Sequence, residues 1–147
     1  MNHRPIRYCI HKEAPYYVAQ TVMPLMDVCG FGASQAEAVA DLREALKVCH
    51  GDGREPCLID NPADMGERKP DNKRLNSDEA ERVIMGYGFI PQRGRTPRHG
   101  KYFREPGMTV ILPLGRPELP EMVLISIVRQ TEMPMGLFYP RTMGKRK

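Results

Sequence analysis

Between Asp52 and Asn76 the chain turns to Gly, Pro, Asp, Asn and Lys, and this break constrains the fold more than any other feature. It separates two stretches of apolar periodicity, each too short to enclose a large core alone. Small domains bury proportionally less surface, so halves of this size are expected to lean on each other or on a second copy. Within the break only Cys57-Leu58-Ile59 has the composition of a strand, and residues 61–74 read as a linker.

Before the break, Ile6–His11 and Tyr16–Val22 are apolar and aromatic runs that read as a hairpin, and Val28–Phe31 follows a turn at Met23-Pro24 as a third strand. Ser34 is a good N-cap for a helix. Ala38, Val39, Leu42, Ala45, Leu46 and Cys49 recur at helical spacing, with Glu37, Asp41, Arg43, Glu44 and Lys47 on the opposite, wet face. Gly51 and Gly53 should end this helix near His50. The order is β-β-β-α, with a possible short strand to follow.

After the break, Ser77 reads as an N-cap, with Asp78 and Glu79 at the positive end of the helix dipole and Ala80, Val83, Ile84 and Tyr87 behind them. Gly86 and Gly88 close that helix. Strands are expected over Phe89–Arg93, Lys101–Arg104 and Met108–Leu112, with turns at Gly94–Pro97 and Glu105-Pro106-Gly107. The run Pro117–Pro120 opens a last helix carrying Met122, Val123, Ile125, Ile127 and Val128. The expected fold class is therefore α+β: a β-β-β-α(-β) unit at 1–60, the linker at 61–74, an α-β-β-β-α unit at 75–133, and an irregular basic tail at 134–147.

Charge divides unevenly between these parts. Residues 1–74 hold 10 Lys and Arg against 11 Asp and Glu, a balance of −1; residues 75–147 hold 12 against 7, a balance of +5, and the two give the +4 of the whole chain. An acidic-leaning half joined to a basic one suits a nucleic-acid binder tethered to something that covers it. The basic charge concentrates in FIPQRGRTPRHGKYFR, residues 89–104, where Arg93, Arg95, Arg98, Lys101 and Arg104 surround a single histidine, His99. Cations suit phosphate, aromatic faces suit unstacked bases, and an imidazole suits proton transfer near neutral pH. RNA is the expected partner.

No apolar run approaches the length of a membrane span, and the opening MNHRPIRYCIHKE lacks the apolar core of a signal peptide, so the expected location is cytoplasmic, with no membrane partner. Cys9, Cys29, Cys49 and Cys57 form no CxxC pair and read as free thiols. Cys49, His50 and Cys57 lack the paired spacing of a zinc knuckle, and neither a metal nor another cofactor is expected.

The first half resembles the N-terminal domain of HicB antitoxins, a partial RNase H-like fold. The resemblance covers residues 5–60 and rests on Tyr17-Val18-Ala19, Pro24, Gly32 with Ser34, and Glu37-Ala38 followed by Leu42-Arg43-Glu44-Ala45-Leu46. The second half, residues 75–133, resembles HicA toxins, small messenger-RNA endoribonucleases with a double-stranded-RNA-binding-like fold. Gly88-Phe89, Gln92-Arg93, His99 followed by Tyr102, Val110-Ile111-Leu112-Pro113 and Ile127-Val128-Arg129-Gln130 carry this likeness. Pro97 and Arg98 stand where that family has Gly and Ser before the histidine, and Leu114-Gly115-Arg116 where it often has a second histidine. The resemblance as a whole is to a HicB–HicA-like fusion.

That resemblance implies a type II toxin–antitoxin protein whose second half is a metal-independent endoribonuclease masked by the first. His99 takes the catalytic place. Arg93, Arg95, Arg98, Lys101, Arg104 and Tyr102 would contact RNA, although Tyr102 on a strand equally fits the core. Asp27, Glu37, Asp41 and Glu44 are candidate masking acids. A linker of this length reaches roughly 50 Å when extended, and tethering at that length gives effective concentrations of order mM. The alternatives are a non-catalytic RNA-binding or regulatory protein with a degenerate HicA-like domain, and a first half that serves oligomerisation through exposed sheet edges.

Overall fold

Hairpin chemistry and two well-capped helices determine most of the architecture. The computed structural model describes residues 5–22, 27–51 and 55–138. The turn expected at Met23-Pro24, Gly53 and the tail beyond residue 138 lie outside the described residues. Among the described residues the fold is α+β, with two sheets and three α-helices.

Strands β1 (Tyr8–Glu13) and β2 (Tyr16–Thr21) form an antiparallel hairpin in the register Tyr8↔Thr21 to Glu13↔Tyr16. Strand β3 (Cys29–Gly32) adds antiparallel to β2. Helix α1 (Gln35–His50) then crosses the sheet. Its Ser34 cap accepts a hydrogen bond from Glu37 N at 3.1 Å, and Gly51, at φ 76°, ends it in the left-handed region open to glycine. Ala38, Leu42, Ala45 and Leu46 are buried against the sheet, as their spacing predicts. The approach is close enough that a Cβ on Gly30 would stand 2.0 Å from Leu42 N.

The segment expected to be linker departs from that expectation. Ala63–Glu67 is a strand, β4, pairing parallel with β1, so the first sheet runs β3-β2-β1-β4. The strand expected at Cys57-Leu58-Ile59 is reduced to a single parallel bridge between Ile6 and Leu58. An exposed Ala-Asp-Met-Gly-Glu run has no β-propensity to announce it, and only the ladder on β1 makes it a strand.

In the second half, α2 (Ser77–Gly86) is capped by Asn76 rather than Ser77, in a capping box with Glu79. The Ser77 hydroxyl instead donates to Pro113 O at 2.8 Å and accepts Arg116 N at 3.0 Å. Strands β5 (Ile90–Pro91), β6 (His99–Arg104) and β7 (Met108–Pro113) form an antiparallel sheet in that order, and α3 (Glu121–Thr131) follows. A 3-10 turn at Met135–Leu137 comes after it.

The halves share a core. Val18, Cys29 and Phe31 of the first sheet cluster with Phe89, Tyr102, Leu112, Leu119, Leu124 and Ile127. Helix α1 touches its own sheet and also β6 and β7. The face of α1 that its charges mark as wet is therefore partly covered, and Asp41 is buried.

Three buried carboxylates lock this arrangement. Helix α3 begins at Pro120 with no side-chain cap of its own. Glu13, from the β1–β2 hairpin, supplies the missing acceptors: its carboxylate takes Glu121 N at 2.7 Å and Met122 N at 3.0 Å. Arg74 Nε at 3.1 Å and Arg68 Nη1 at 3.3 Å balance the buried charge. Glu121 in turn accepts from Arg68 Nη1, Asp71 N and Asn72 Nδ2 at 3.0, 3.0 and 2.7 Å. At the other end of α3, Asp27 accepts from Gln20 Nε2 and Arg129 Nε, both at 2.9 Å, and from the Ser126 hydroxyl. No helix among the described residues is long and apolar enough to cross a membrane.

Candidate active site

His99 opens β6 opposite Pro113 of β7. The turn before it is closed by Thr96, whose hydroxyl accepts from His99 N at 3.1 Å and whose N–H donates to His99 O at 2.9 Å. The imidazole does not face solvent. It is fully buried beneath α1, where Asp41 and Glu44 lie three residues apart on one helical face.

Asp41 Oδ1 stands 3.1 Å from His99 Nε2 and 3.3 Å from Arg116 Nη2. Glu44 Oε1 stands 3.8 Å from His99 Nδ1 and 3.6 Å from Arg98 Nε. Each oxygen thus bridges one ring nitrogen and one guanidinium. The Glu44 contacts are too long and the Asp41 contacts poorly directed, so neither ring nitrogen nor either of these two oxygens makes a hydrogen bond. Asp41 is held from its other side, where Oδ2 accepts Phe31 N at 2.9 Å. Arg116 lies over the Phe31 ring, 4.2 Å from its centroid. A cleft of about 510 Å³ opens beside the cluster, lined by Tyr16, Phe31, Glu37, Asp41, Arg98 and Arg116 among others. His99 does not line it, whereas Asp41 and Glu44, which approach the ring, both do.

The other expected RNA contacts disperse. Arg93 and Arg95 are exposed on the turn before His99, and Arg98 beside it is largely exposed. Lys101 Nζ donates to Cys49 O at 3.1 Å, placing its charge at the negative end of α1. Arg104 lies over the Tyr87 ring at 4.7 Å. Tyr102 is fully buried, so its ring offers no face to a base; its hydroxyl donates to Glu81 at 2.5 Å. Burial first, and then the Glu81 carboxylate, push that phenol well above its ordinary range. Of the candidate masking acids, Asp41 and Glu44 reach His99, Glu37 lines the cleft and Asp27 pairs with α3.

Arg116 is the member of the site that sequence reasoning missed. It occupies the β7–α3 connection, after an apolar strand and outside the basic run. Its backbone is pinned to the start of α2 through Ser77 N→Arg116 O and Arg116 N→Ser77 Oγ, both at 3.0 Å.

Asp41, Glu44 and His99 are also the group among the described residues whose ligand atoms lie close enough to hold a metal ion, within 4.8 Å of one another. Arg98 and Arg116 already balance the two carboxylates, so with a neutral imidazole a dication would leave the pocket at about +2 by formal charge. With both carboxylates in place the site is already charge-balanced. Cys49, His50 and Cys57 do not form such a group, and all four cysteines are free thiols. The chain matches no known protein-family model and no curated protein.

Proposed function

We propose that this chain is a fused toxin–antitoxin protein of the HicB–HicA kind, whose second half is a metal-independent endoribonuclease covered by its first half. One observation carries the reading. The histidine that the resemblance assigns to catalysis is the residue that α1 of the other half buries, with a carboxylate against each ring nitrogen. The α-β-β-β-α order of residues 77–131 supports a double-stranded-RNA-binding-like fold, and β-β-β-α followed by the parallel β4 supports a partial RNase H-like one. A metal-free ribonuclease needs a base for the ribose 2′-OH and cations to offset phosphate charge. His99 is the base, Arg98 and the exposed Arg93 and Arg95 meet the backbone, and the covered ring cannot reach a substrate. The partner is RNA, and the site of action the cytoplasm.

A second reading is a non-catalytic RNA-binding protein on the same fold. It is favoured by the position after β7, where Arg116 can stabilise charge but cannot shuttle a proton. The deciding test is RNA cleavage in EDTA by the full chain, by residues 75–147 and by that fragment with His99→Ala, with circular dichroism showing that the fragment is folded. Cutting by the fragment alone, lost in the variant, sustains the ribonuclease. A folded fragment that binds RNA in a salt-sensitive way without cutting it selects the second reading.

A further inference from the structure

We infer that Arg98, His99 and Arg116 form an anion site for a nucleic-acid phosphate, and that Asp41 and Glu44 fill it in the closed chain as intramolecular surrogates for that phosphate. The inference rests on the covered-site reading above and adds to it the ligand, and Arg116 as a binding residue.

All three binding groups belong to the second half, which fixes their backbones. His99 and Arg98 are fixed by the Thr96 turn and by Leu114 N, which donates to Arg98 O at 2.8 Å. Arg116 is fixed by its two hydrogen bonds with Ser77. Two guanidiniums and an imidazole thus converge from the β6 and β7 ends on backbone that the second half sets, and the Arg116 guanidinium also leans on the first half, over the Phe31 ring and donating to Phe31 O at 3.4 Å. Such a set is a phosphate receptor in kind: planar, multidentate and cationic.

What occupies it now is an imperfect fit. Asp41 Oδ1 and Glu44 Oε1 each lie between a ring nitrogen and a guanidinium, at 3.1 to 3.8 Å, yet none of the buried imidazole nitrogens and carboxylate oxygens is aligned for a hydrogen bond. Leaving buried donors and acceptors unmatched is costly. A phosphate, with oxygens disposed tetrahedrally and free to rotate, can match them better than two carboxylates fixed on one helix. Without the two acids the site carries the uncompensated charges of Arg98 and Arg116.

The test uses the full chain with Asp41→Asn and Glu44→Gln, inorganic phosphate as the probe, and sodium chloride to hold ionic strength constant. Asn at position 41 can still accept Phe31 N, so the fold is kept. Thermal unfolding and calorimetry are expected to show saturable phosphate binding by this variant and none by the wild-type chain at the same concentrations. Adding Arg116→Gln should weaken it roughly tenfold, the scale of one charge-assisted hydrogen bond, whereas Arg82→Gln on the exposed face of α2 should leave it unchanged. Absence of saturable binding, or binding indifferent to Arg116→Gln, overturns the proposal. Should the double variant prove unfolded by circular dichroism, Glu44→Gln alone, at a side chain 44% exposed, is compared with and without Arg116→Gln and judged by the same outcomes. No cleavage is read, so a failure here leaves the ribonuclease test untouched, and the reverse also holds.

Discussion

Replacing Glu13 by Gln tests whether the two halves form one cooperative body. The carboxylate is fully buried, and each of its oxygens serves two donors: Oε1 takes Met122 N and Arg68, and Oε2 takes Glu121 N and Arg74. Gln has the same shape, but one of its two positions becomes an NH2 group. Either orientation sets that group against a backbone N–H and a guanidinium, so two acceptor contacts are lost and two arginines face a neutral partner. Breaking a buried pair from one side costs about 3–5 kcal/mol. Domains of this size are stable by about 5–15 kcal/mol, so the loss is a large fraction of the whole. At about 2–4 °C per kcal/mol, the Tm should fall by roughly 10 °C. The assay is urea and thermal unfolding of the full chain, followed by both near- and far-UV circular dichroism, with Glu118→Gln as comparator. Glu118 is half-exposed, pairs with Arg74 only at 3.9 Å, and as Gln keeps an acceptor for the Tyr16 hydroxyl that now donates to it at 2.8 Å, so its replacement should cost no more than about 1 kcal/mol. Glu13→Gln is expected to give a single transition moved to lower urea. A loss below about 1 kcal/mol, or two resolved transitions in the wild-type chain, would show that the clasp does not hold the halves together.

Three further outcomes follow from the same contacts. Burial pushes the Glu121 carboxyl upward, but hydrogen bonds from Asp71 N, Asn72 and Arg68 outweigh it and hold the group below its ordinary value. A carboxyl depressed by folding stabilises fully above its unfolded pKa of about 4.3 and loses that contribution as pH falls through the folded value. The stability gap between wild type and Glu121→Gln should therefore be full at neutral pH and close below about pH 4; a gap unchanged at low pH would refute the charge argument. Among the thiols, burial pushes Cys29 up to about 12 while Cys57 lies exposed. Alkylation of the native chain should mark Cys57 first and Cys29 only on unfolding, as read by peptide mass, and prompt labelling of Cys29 would contradict the shared core. Gly30→Ala should cost about 3 kcal/mol, because the added methyl would stand 2.0 Å from backbone that cannot turn aside, and a neutral result in urea would mean α1 lies further from the sheet.

How much of this was legible depends on whether the signal was local. Ser34, Gly51 and the apolar spacing between them define α1 in the sequence because cap and periodicity act within one turn. The cap of α2 is displaced by one residue because Asn76 and Ser77 are both capping types, and only Asn76 lies three residues before Glu79. Strand β4 carries no strand composition at all. The charge of Asp41 and its place on the polar stripe of α1 predict exposure, and nothing nearby in the chain says that β6 and β7 will cover it. Glu13 is hidden for the same reason: an acid in a Lys-Glu-Ala-Pro turn looks solvated until α3, more than 100 residues on, places its N-terminus there. His99 was found because its cations lie close in sequence, and Arg116 was missed because its partners lie close only in space.

The contacts over His99 and the contacts that join the halves differ in kind, and this bears on how a covered site could open. Over the ring the contacts are misaligned, and two of them involve side chains that are largely or partly exposed, Arg98 and Glu44. The Glu13, Glu121 and Asp27 clasps are buried and well aligned, and they lie on the α3 side of the molecule. Cutting the chain between the halves would leave those clasps intact, because β4 stays paired to β1 and Arg68 and Arg74 stay on Glu13. An anion competing at Arg98 and Arg116 meets only the weaker set. A specific protease site placed between the exposed Asp60 and Asn61 separates these routes. After cleavage the two pieces should co-elute on size exclusion as one species, come apart only in urea, and remain inactive on RNA. Pieces that separate without denaturant, with ribonuclease activity appearing in the second, would show that the tether rather than the clasps keeps His99 covered.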